Sequence, residues 1–253
     1  MIPTLLLSYY GGVPGYGMPV DRASLIGIGL IVLAGVVGFI VQVGMKRCMQ
    51  EYSAEPAGLT GEQIAREMLD AHGLHDVQIT HVQGQLTDHY NPGTRTVNLS
   101  DSVYSQASVA AAAVAAHECG HAIQHAQAYP WLGMRSSMVP LVNIGTHLGQ
   151  WILIIGLIIA AAGNSTSVAW IGLALFSMST LFTFVTLPVE LDASHRALAW
   201  LRNSRHVSPA MHKHASSALR WAAMTYVAAA LSSIAVLVYY ILRLLALSSR
   251  DRR

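Results

Sequence analysis

The feature that most limits how this chain can fold is a long uncharged stretch. Residues 136–189 contain no Asp, Glu, Lys or Arg. A helix that crosses a bilayer needs about 20 such residues, so this stretch is long enough for two crossings. A Gly-Asn-Ser-Thr-Ser run at 163–167 favours a turn near its middle. We therefore predict two membrane spans, at 140–162 and 168–187, which form a hairpin and return the chain to the side that it left.

Two further segments, 23–45 and 221–243, are also apolar enough to be spans. Tyrosines among glycines and prolines in 1–22 are typical of a segment at the membrane interface, and no basic region or cleavage signature predicts a signal peptide there. The prediction assigns 188–220 to a further helix, with Pro188 in its first turn, and a connecting segment. It leaves 244–253 as a C-terminal tail.

The composition supports a membrane protein. Hydrophobic residues make up 53% of the chain and charged residues only 11%, against about 25% charged in soluble domains. These values exclude a disordered chain, a nucleic-acid-binding protein and a typical soluble enzyme. The formal net charge of +2 identifies no partner.

The more polar part, 46–139, predicts a small folded domain. A capping-box pattern begins a helix at 61–72, alternating residues predict strands at 77–82 and 94–99, and an Asn-Pro-Gly turn precedes the second strand. We expect Ser100 or Asp101 to cap a long Ala-rich helix that ends near Gln127. The predicted fold is therefore mainly α: four transmembrane helices and a small α+β domain with a short hairpin.

The Ala-rich helix carries the pattern His-Glu-x-x-His at 117–121. Residues four apart share a helix face, so His117 and His121 can bind one Zn²⁺ ion. Glu118 lies about 100° around the helix, where it can reach a water molecule beside the metal without being a ligand. The alternative is a pair of helix histidines that bond only to carbonyl groups or water.

A tetrahedral catalytic zinc site needs a third protein ligand. The predicted membrane hairpin returns the chain to the starting side, where Glu190 is the first charged residue after the uncharged stretch. We predict Glu190 as the third ligand, although a carboxylate near a helix start can also be solvent-exposed. Asp192 is the rival ligand. We favour two other roles for Asp192: an ion pair with Arg196 four residues later, or a hydrogen bond that supports a zinc histidine.

These residues closely resemble the YugP-like neutral zinc metallopeptidases, a bacterial family of integral membrane proteins. The similarity spans roughly 25–245, and the run at 117–124 is its most specific part. The layout is also similar to membrane metallopeptidases of the HtpX and CAAX type, in which two spans separate the motif from a glutamate ligand. The resemblance implies that the small α+β domain with the motif helix is a zincin-like metallopeptidase domain, with zinc at His117, His121 and Glu190 and with Glu118 as the base.

The expected function is a zinc-dependent, membrane-embedded endopeptidase that acts on a peptide or membrane-protein substrate. The oxyanion needs a second stabiliser, and the candidates are His89, Arg196, Tyr90 and His195, of which the first two are favoured. The strand at 94–99 could pair with an extended peptide or simply cover the helix. The sequence leaves the oligomeric state open.

Two other functions fit part of the sequence. A non-catalytic membrane scaffold could keep a structural zinc, but structural sites usually fill four ligand positions and only three good ligands are present. A transporter could use Asn143 and His147, expected to face the interior of the helix bundle, but the other spans lack ionisable groups.

The resemblance implies a bacterial cytoplasmic (inner) membrane. Most of the chain's 15 Lys and Arg residues fall on the side of the motif, which favours an active site that faces the cytoplasm. Arginines in the tail oppose this bias.

Overall fold

The computed structural model describes residues 22–250, which form six helices and three short strands. The predicted interfacial segment lies almost wholly outside the described residues, as does the end of the tail. The elements in chain order are α1 Arg22–Ser53, α2 Gly61–Ala71, β1 Gln78–Val82, β2 His89–Asn91, β3 Thr96–Ser100, α3 Val109–Ala126, α4 Pro130–Ala161, α5 Ser167–Asn203 and α6 Pro209–Arg250.

Four of these helices, α1, α4, α5 and α6, are long and apolar enough to cross a membrane. Large apolar side chains such as Phe39, Ile144 and Trp151 are exposed along them, as expected where lipid replaces water. The mainly α architecture with a small sheet is therefore confirmed. The helices extend well beyond the predicted spans, because the chain stays helical on leaving the apolar region.

The membrane hairpin is formed by α4 and α5, which pack closely through small residues. A Cβ atom added at Gly149 would lie 2.6 Å from the backbone nitrogen of Phe176, and one at Gly156 would lie 2.3 Å from that of Ala169. Helices in lipid associate through such close backbone approach. Gly163, with a φ of +84°, lies in the turn between them.

Helix α5 does not stop at the predicted end of the span. It continues through Pro188 to Asn203, so the helix predicted to begin at 188 is part of the same helix as the third span. Proline removes one backbone donor without ending this helix, and an interrupted helix would expose more unpaired backbone groups in lipid. The residues after Pro188 are thus fixed relative to the membrane hairpin.

The predicted cap of α3 is wrong. Ser108, not Ser100 or Asp101, accepts a hydrogen bond from the backbone nitrogen of Ala111. The intervening residues form a turn that covers the start of α2, where Tyr104 accepts a backbone hydrogen bond from Glu62. The predicted capping box of α2, between Thr60 and Gln63, is confirmed.

The sheet has the order β1-β3-β2. Strands β2 and β3 form the antiparallel hairpin, whereas β1 pairs with β3 in parallel. Because β3 is paired on both sides, the prediction that the strand at 94–99 could bind a peptide is wrong. The strand at the edge of the sheet beside α3 is β2.

The prediction for Asn143 and His147 is also wrong. Both side chains are exposed on the outer face of α4, instead of facing the interior of the bundle. The buried positions of α4 are taken by small and apolar residues such as Val142, Gly145 and Gly149, because these allow close contact with α5.

Candidate metal centre

Helix α3 holds two histidines on one face. The imidazole rings of His117 and His121 lie 4.8 Å apart between their centres, at an interplanar angle of 82°. Most of α3 is buried between α2, α5 and α6, so its orientation is set by packing on several sides. The spacing of four residues therefore brings both rings to one point, as the sequence predicts.

Helix α5 brings Glu190 to the same point. Its Oε2 atom lies 3.2 Å from Nε2 of His117 and 3.6 Å from Nε2 of His121. Glu190 is only 2% exposed. The three side chains form a group whose possible ligand atoms all lie within 4.8 Å of one another. The membrane hairpin thus carries the carboxylate to the histidines on α3.

The other nitrogen of each imidazole has its own partner. Nδ1 of His121 lies 3.0 Å from Oε1 of Gln124, and Nδ1 of His117 lies 3.1 Å from Oγ of Ser194. The amide nitrogen of Gln124 donates to the Val189 carbonyl and to Asp192, which leaves its oxygen as the acceptor for His121. Neutral His121 therefore has its lone pair on Nε2, directed towards Glu190.

The network extends to an arginine. Asp192 accepts a hydrogen bond from Nε of Arg196 at 2.5 Å as well as the one from Gln124 at 2.8 Å. The predicted pairing of Asp192 with Arg196 is therefore present, whereas its link to a histidine is indirect, because Gln124 lies between Asp192 and His121. On the other side of the centre, Arg135 donates to Oε1 of Glu190 at 3.0 Å.

These side chains suit a metal cation. Burial favours neutral His121, but a hydrogen bond to Glu190 and the charge of Glu118 outweigh it and raise the pKa of the imidazole. The space between His117, His121 and Glu190 therefore stabilises a positive charge, whether a proton or a metal cation. Two imidazole nitrogens and a carboxylate oxygen are also the ligand set of catalytic zinc sites. The residues therefore fit Zn²⁺.

Glu118 lies beside this group without belonging to it. It is 8% exposed and lines two adjoining cavities, one of about 400 Å³ with β2 and α4 in its wall, and one of about 200 Å³ between α1, α3 and α6. Both cavities also reach His117 and Glu190. A substrate in either would contact the metal-binding group and the Glu118 carboxylate together.

The residues predicted to stabilise the oxyanion line two separate cavities. His89 and Tyr90 line the larger cavity at the metal-binding group. Nδ1 of His89 bonds to the Thr87 carbonyl oxygen, while the Tyr90 hydroxyl bonds to Nδ1 of His125. Arg196 lines a separate cavity, and there it also donates to Gln127.

Two of the three residues between the histidines, Cys119 and Gly120, have packing roles. The Cys119 thiol points at the Ala65 carbonyl oxygen, 3.6 Å away, and burial raises its pKa far above the usual range. A Cβ atom at Gly120 would lie 2.5 Å from the Ala193 carbonyl oxygen, so a glycine is needed where α3 meets α5.

Sequence reasoning missed Gln124, Ser194 and Arg135. The sequence could have indicated Gln124, because a residue three positions after His121 lies on the same helix face. Ser194, four positions after Glu190, could have been indicated by the same spacing. No sequence pattern indicates Arg135, since its contact depends on how α4 approaches α5.

The fold has four helices long and apolar enough to cross a membrane, and the site is a largely buried histidine–histidine–glutamate group suited to zinc. The chain belongs to the family described as "Putative neutral zinc metallopeptidase", whose model matches residues 27–245. It is similar to the "Putative membrane protease YugP" of Bacillus subtilis (strain 168), with 36% identity over 224 residues, which cover 88% of this chain and 97% of that protein. No solved structure matches this chain.

Proposed function

We propose that this chain is a zinc-dependent endopeptidase embedded in the membrane, with His117, His121 and Glu190 as the zinc ligands. The observation that carries the proposal is the convergence of these three side chains beside a cavity that also contains Glu118. The family supports zinc peptidase chemistry in general, and the geometry supports these particular residues.

His117, His121 and Glu190 would hold the zinc, which would supply a bound water of lowered pKa and a Lewis acid for the scissile carbonyl group. Glu118 is the proposed general base: its carboxylate accepts the proton of the attacking water and later passes it to the leaving amine. The bonds from Gln124 and Ser194 hold the two imidazoles in position. Arg135 keeps the second oxygen of Glu190 occupied.

The remaining roles follow from which side chains line the cavity. We propose His89 as the second oxyanion stabiliser, because it lines the cavity of the metal-binding group. Arg196 is proposed to position His121 through Asp192 and Gln124 instead of contacting the substrate. Strand β2, at the sheet edge, is the proposed backbone partner for an extended peptide.

A scaffold with a structural zinc is the rival function. Structural sites close all four ligand positions with protein side chains. Within residues 22–250 the metal-binding group has three members, and the cavity beside them contains a potential base. This arrangement favours catalysis.

Metal removal tests the proposal directly. We expect protein purified in detergent to contain about one zinc per chain and to cleave casein, because three ligands leave one position for water. Treatment with a chelator should remove both the metal and the cleavage, and added zinc should restore them. Metal analysis measures the zinc content, and a gel-based casein assay measures the cleavage. Full cleavage by metal-free protein would exclude the proposed chemistry.

We also propose that the centre faces the cytoplasm of a bacterial cell, from the charge bias of the loops. The exposed segment around Arg205, on the side of the metal centre, provides the test. In sealed right-side-out vesicles, added trypsin should leave this segment intact, whereas in inverted vesicles it should cut there, as seen on immunoblots. Cleavage in right-side-out vesicles alone would reverse the orientation.

A further inference from the structure

One face of α4 is continuous from the metal centre into the membrane. Residues spaced three or four apart form a single stripe on a helix, and six residues of α4 have this spacing. We call them the α4 stripe; they are Leu132, Ser136, Val139, Asn143, His147 and Gln150.

The first half of the stripe belongs to the catalytic cavity. Leu132, Ser136 and Val139 all line the larger cavity, together with Glu118. Pro140 follows directly and has no backbone N–H, so the carbonyl group of Ser136 lacks its normal helical donor. A hydrogen-bond acceptor is therefore available where the cavity meets the membrane part of α4.

The second half of the stripe is polar and exposed. Asn143, His147 and Gln150 are all exposed, and within residues 22–250 no hydrogen bond reaches their side chains. Val139 and Gln150 are separated by about 16 Å along the helix axis, roughly half of the hydrocarbon core. Polar groups at this depth are costly in lipid unless another helix bonds to them.

The stripe cannot turn inwards to find partners. The opposite side of α4 packs on α5 through glycines, with a Cβ at Gly149 only 2.6 Å from a backbone atom of α5. Rotation of α4 would replace these glycines by larger side chains. The polar groups are therefore fixed towards lipid.

We infer that the α4 stripe binds a transmembrane helix of the substrate. This inference rests on the proposed peptidase function and adds a substrate class: a membrane protein with polar residues at matching positions of its helix. Such a helix would bond to Asn143, His147 and Gln150 within the bilayer. Its end would unwind near Ser136 and enter the cavity beside Glu118, so that cleavage falls just outside the hydrocarbon core.

A second copy of this chain is the other possible occupant. The continuity of the stripe with the cavity argues against it, because a permanent neighbour on α4 would stand across the cavity wall formed by Leu132, Ser136 and Val139. A substrate helix has to pass this same wall.

The test compares one casein segment in two forms. One form is a free peptide, and the other is attached to a single membrane helix with Asn, Ser and Gln at positions i, i+4 and i+7. In proteoliposomes, the triple variant Asn143→Leu, His147→Leu, Gln150→Leu should cleave the attached form about tenfold more slowly, from the loss of a few interhelical hydrogen bonds. Cleavage of the free peptide should not change.

An unchanged ratio of the two cleavage rates in the triple variant would overturn the inference. If the molecular mass of the detergent complex, measured by light scattering, also falls in that variant, the stripe is a contact between copies of the chain. Leu148→Trp is the matched control for His147→Trp, because both positions are exposed at the same depth but face different directions; only His147→Trp should slow cleavage of the attached form.

A binding measurement separates this inference from the proposed function. In the Glu118→Gln background, a cysteine at position 147 should form a disulfide with a single cysteine in the reporter helix, and one at position 148 should not. The native Cys48 and Cys119 are buried and do not interfere. If the wild type cleaves neither casein form, the peptidase proposal fails. The disulfide yield still shows whether the α4 stripe binds the reporter helix. Equal yields at both positions would contradict it.

Discussion

Replacing Glu118 with Gln is expected to lower casein cleavage by about 10²–10⁴-fold, the usual contribution of a general base. The amide has nearly the shape of the carboxylate but cannot accept the proton of the attacking water. Glu118 is not a member of the metal-binding group, so zinc should stay at about one per chain. Initial rates and metal content measured on the same preparation check both parts.

Glu51→Gln is the matched control, because Glu51 is an exposed glutamate at the end of α1 that lines neither catalytic cavity. It should behave as the wild type. A Glu118→Gln variant that cleaves casein at the wild-type rate would remove Glu118 from the mechanism. A variant that lost zinc instead would show that Glu118 is a ligand.

The parts of the fold that were predictable depend on charge and on short-range spacing. The uncharged stretch at 136–189 marked a membrane hairpin, and this hairpin placed Glu190 on the side of the histidines. The spacing of His117 and His121 follows from helix geometry alone. These two arguments are independent, and both lead to the group that the structure brings together.

The errors come from contacts between distant segments. Ser100 and Asp101 are acceptable caps by residue type, but the turn that follows them is held against α2 by backbone hydrogen bonds. The pairing of β1 with β3 cannot be read from alternation, because this pattern does not encode strand direction. The exposure of His147 depends on which face of α4 packs on α5.

Arg196 illustrates how a correct local contact can mislead about a site. The pairing with Asp192 was predictable from the spacing of four residues, and it is present at 2.5 Å. The same contact holds the guanidinium in a cavity separate from Glu118. Its link to the centre passes from Asp192 on α5 to Gln124 on α3, and a contact between two distant helices cannot be read from the sequence.

Replacing Glu190 with Ala is expected to remove zinc. A change in a residue that only hydrogen-bonds to a ligand typically lowers metal affinity by about 10–100-fold. The Glu190→Ala variant loses one of three protein ligands, so its zinc affinity should fall further than that. It also leaves the Arg135 guanidinium without the carboxylate that it contacts at 3.0 Å, which adds positive charge beside the cation site. Competition with a chromogenic chelator measures the affinity, and casein cleavage should be lost with the metal.

Asp192→Asn is the matched control on the same helix. Asp192 contacts Gln124 and Arg196 and is not a member of the metal-binding group, so this variant should keep about one zinc per chain at high zinc concentration, with affinity reduced by about 10–100-fold. The decisive result is which of the two variants, Glu190→Ala or Asp192→Asn, has the lower zinc affinity. If Glu190→Ala binds zinc as tightly as Asp192→Asn, the third ligand is another residue, and the membrane hairpin does not serve to complete the centre.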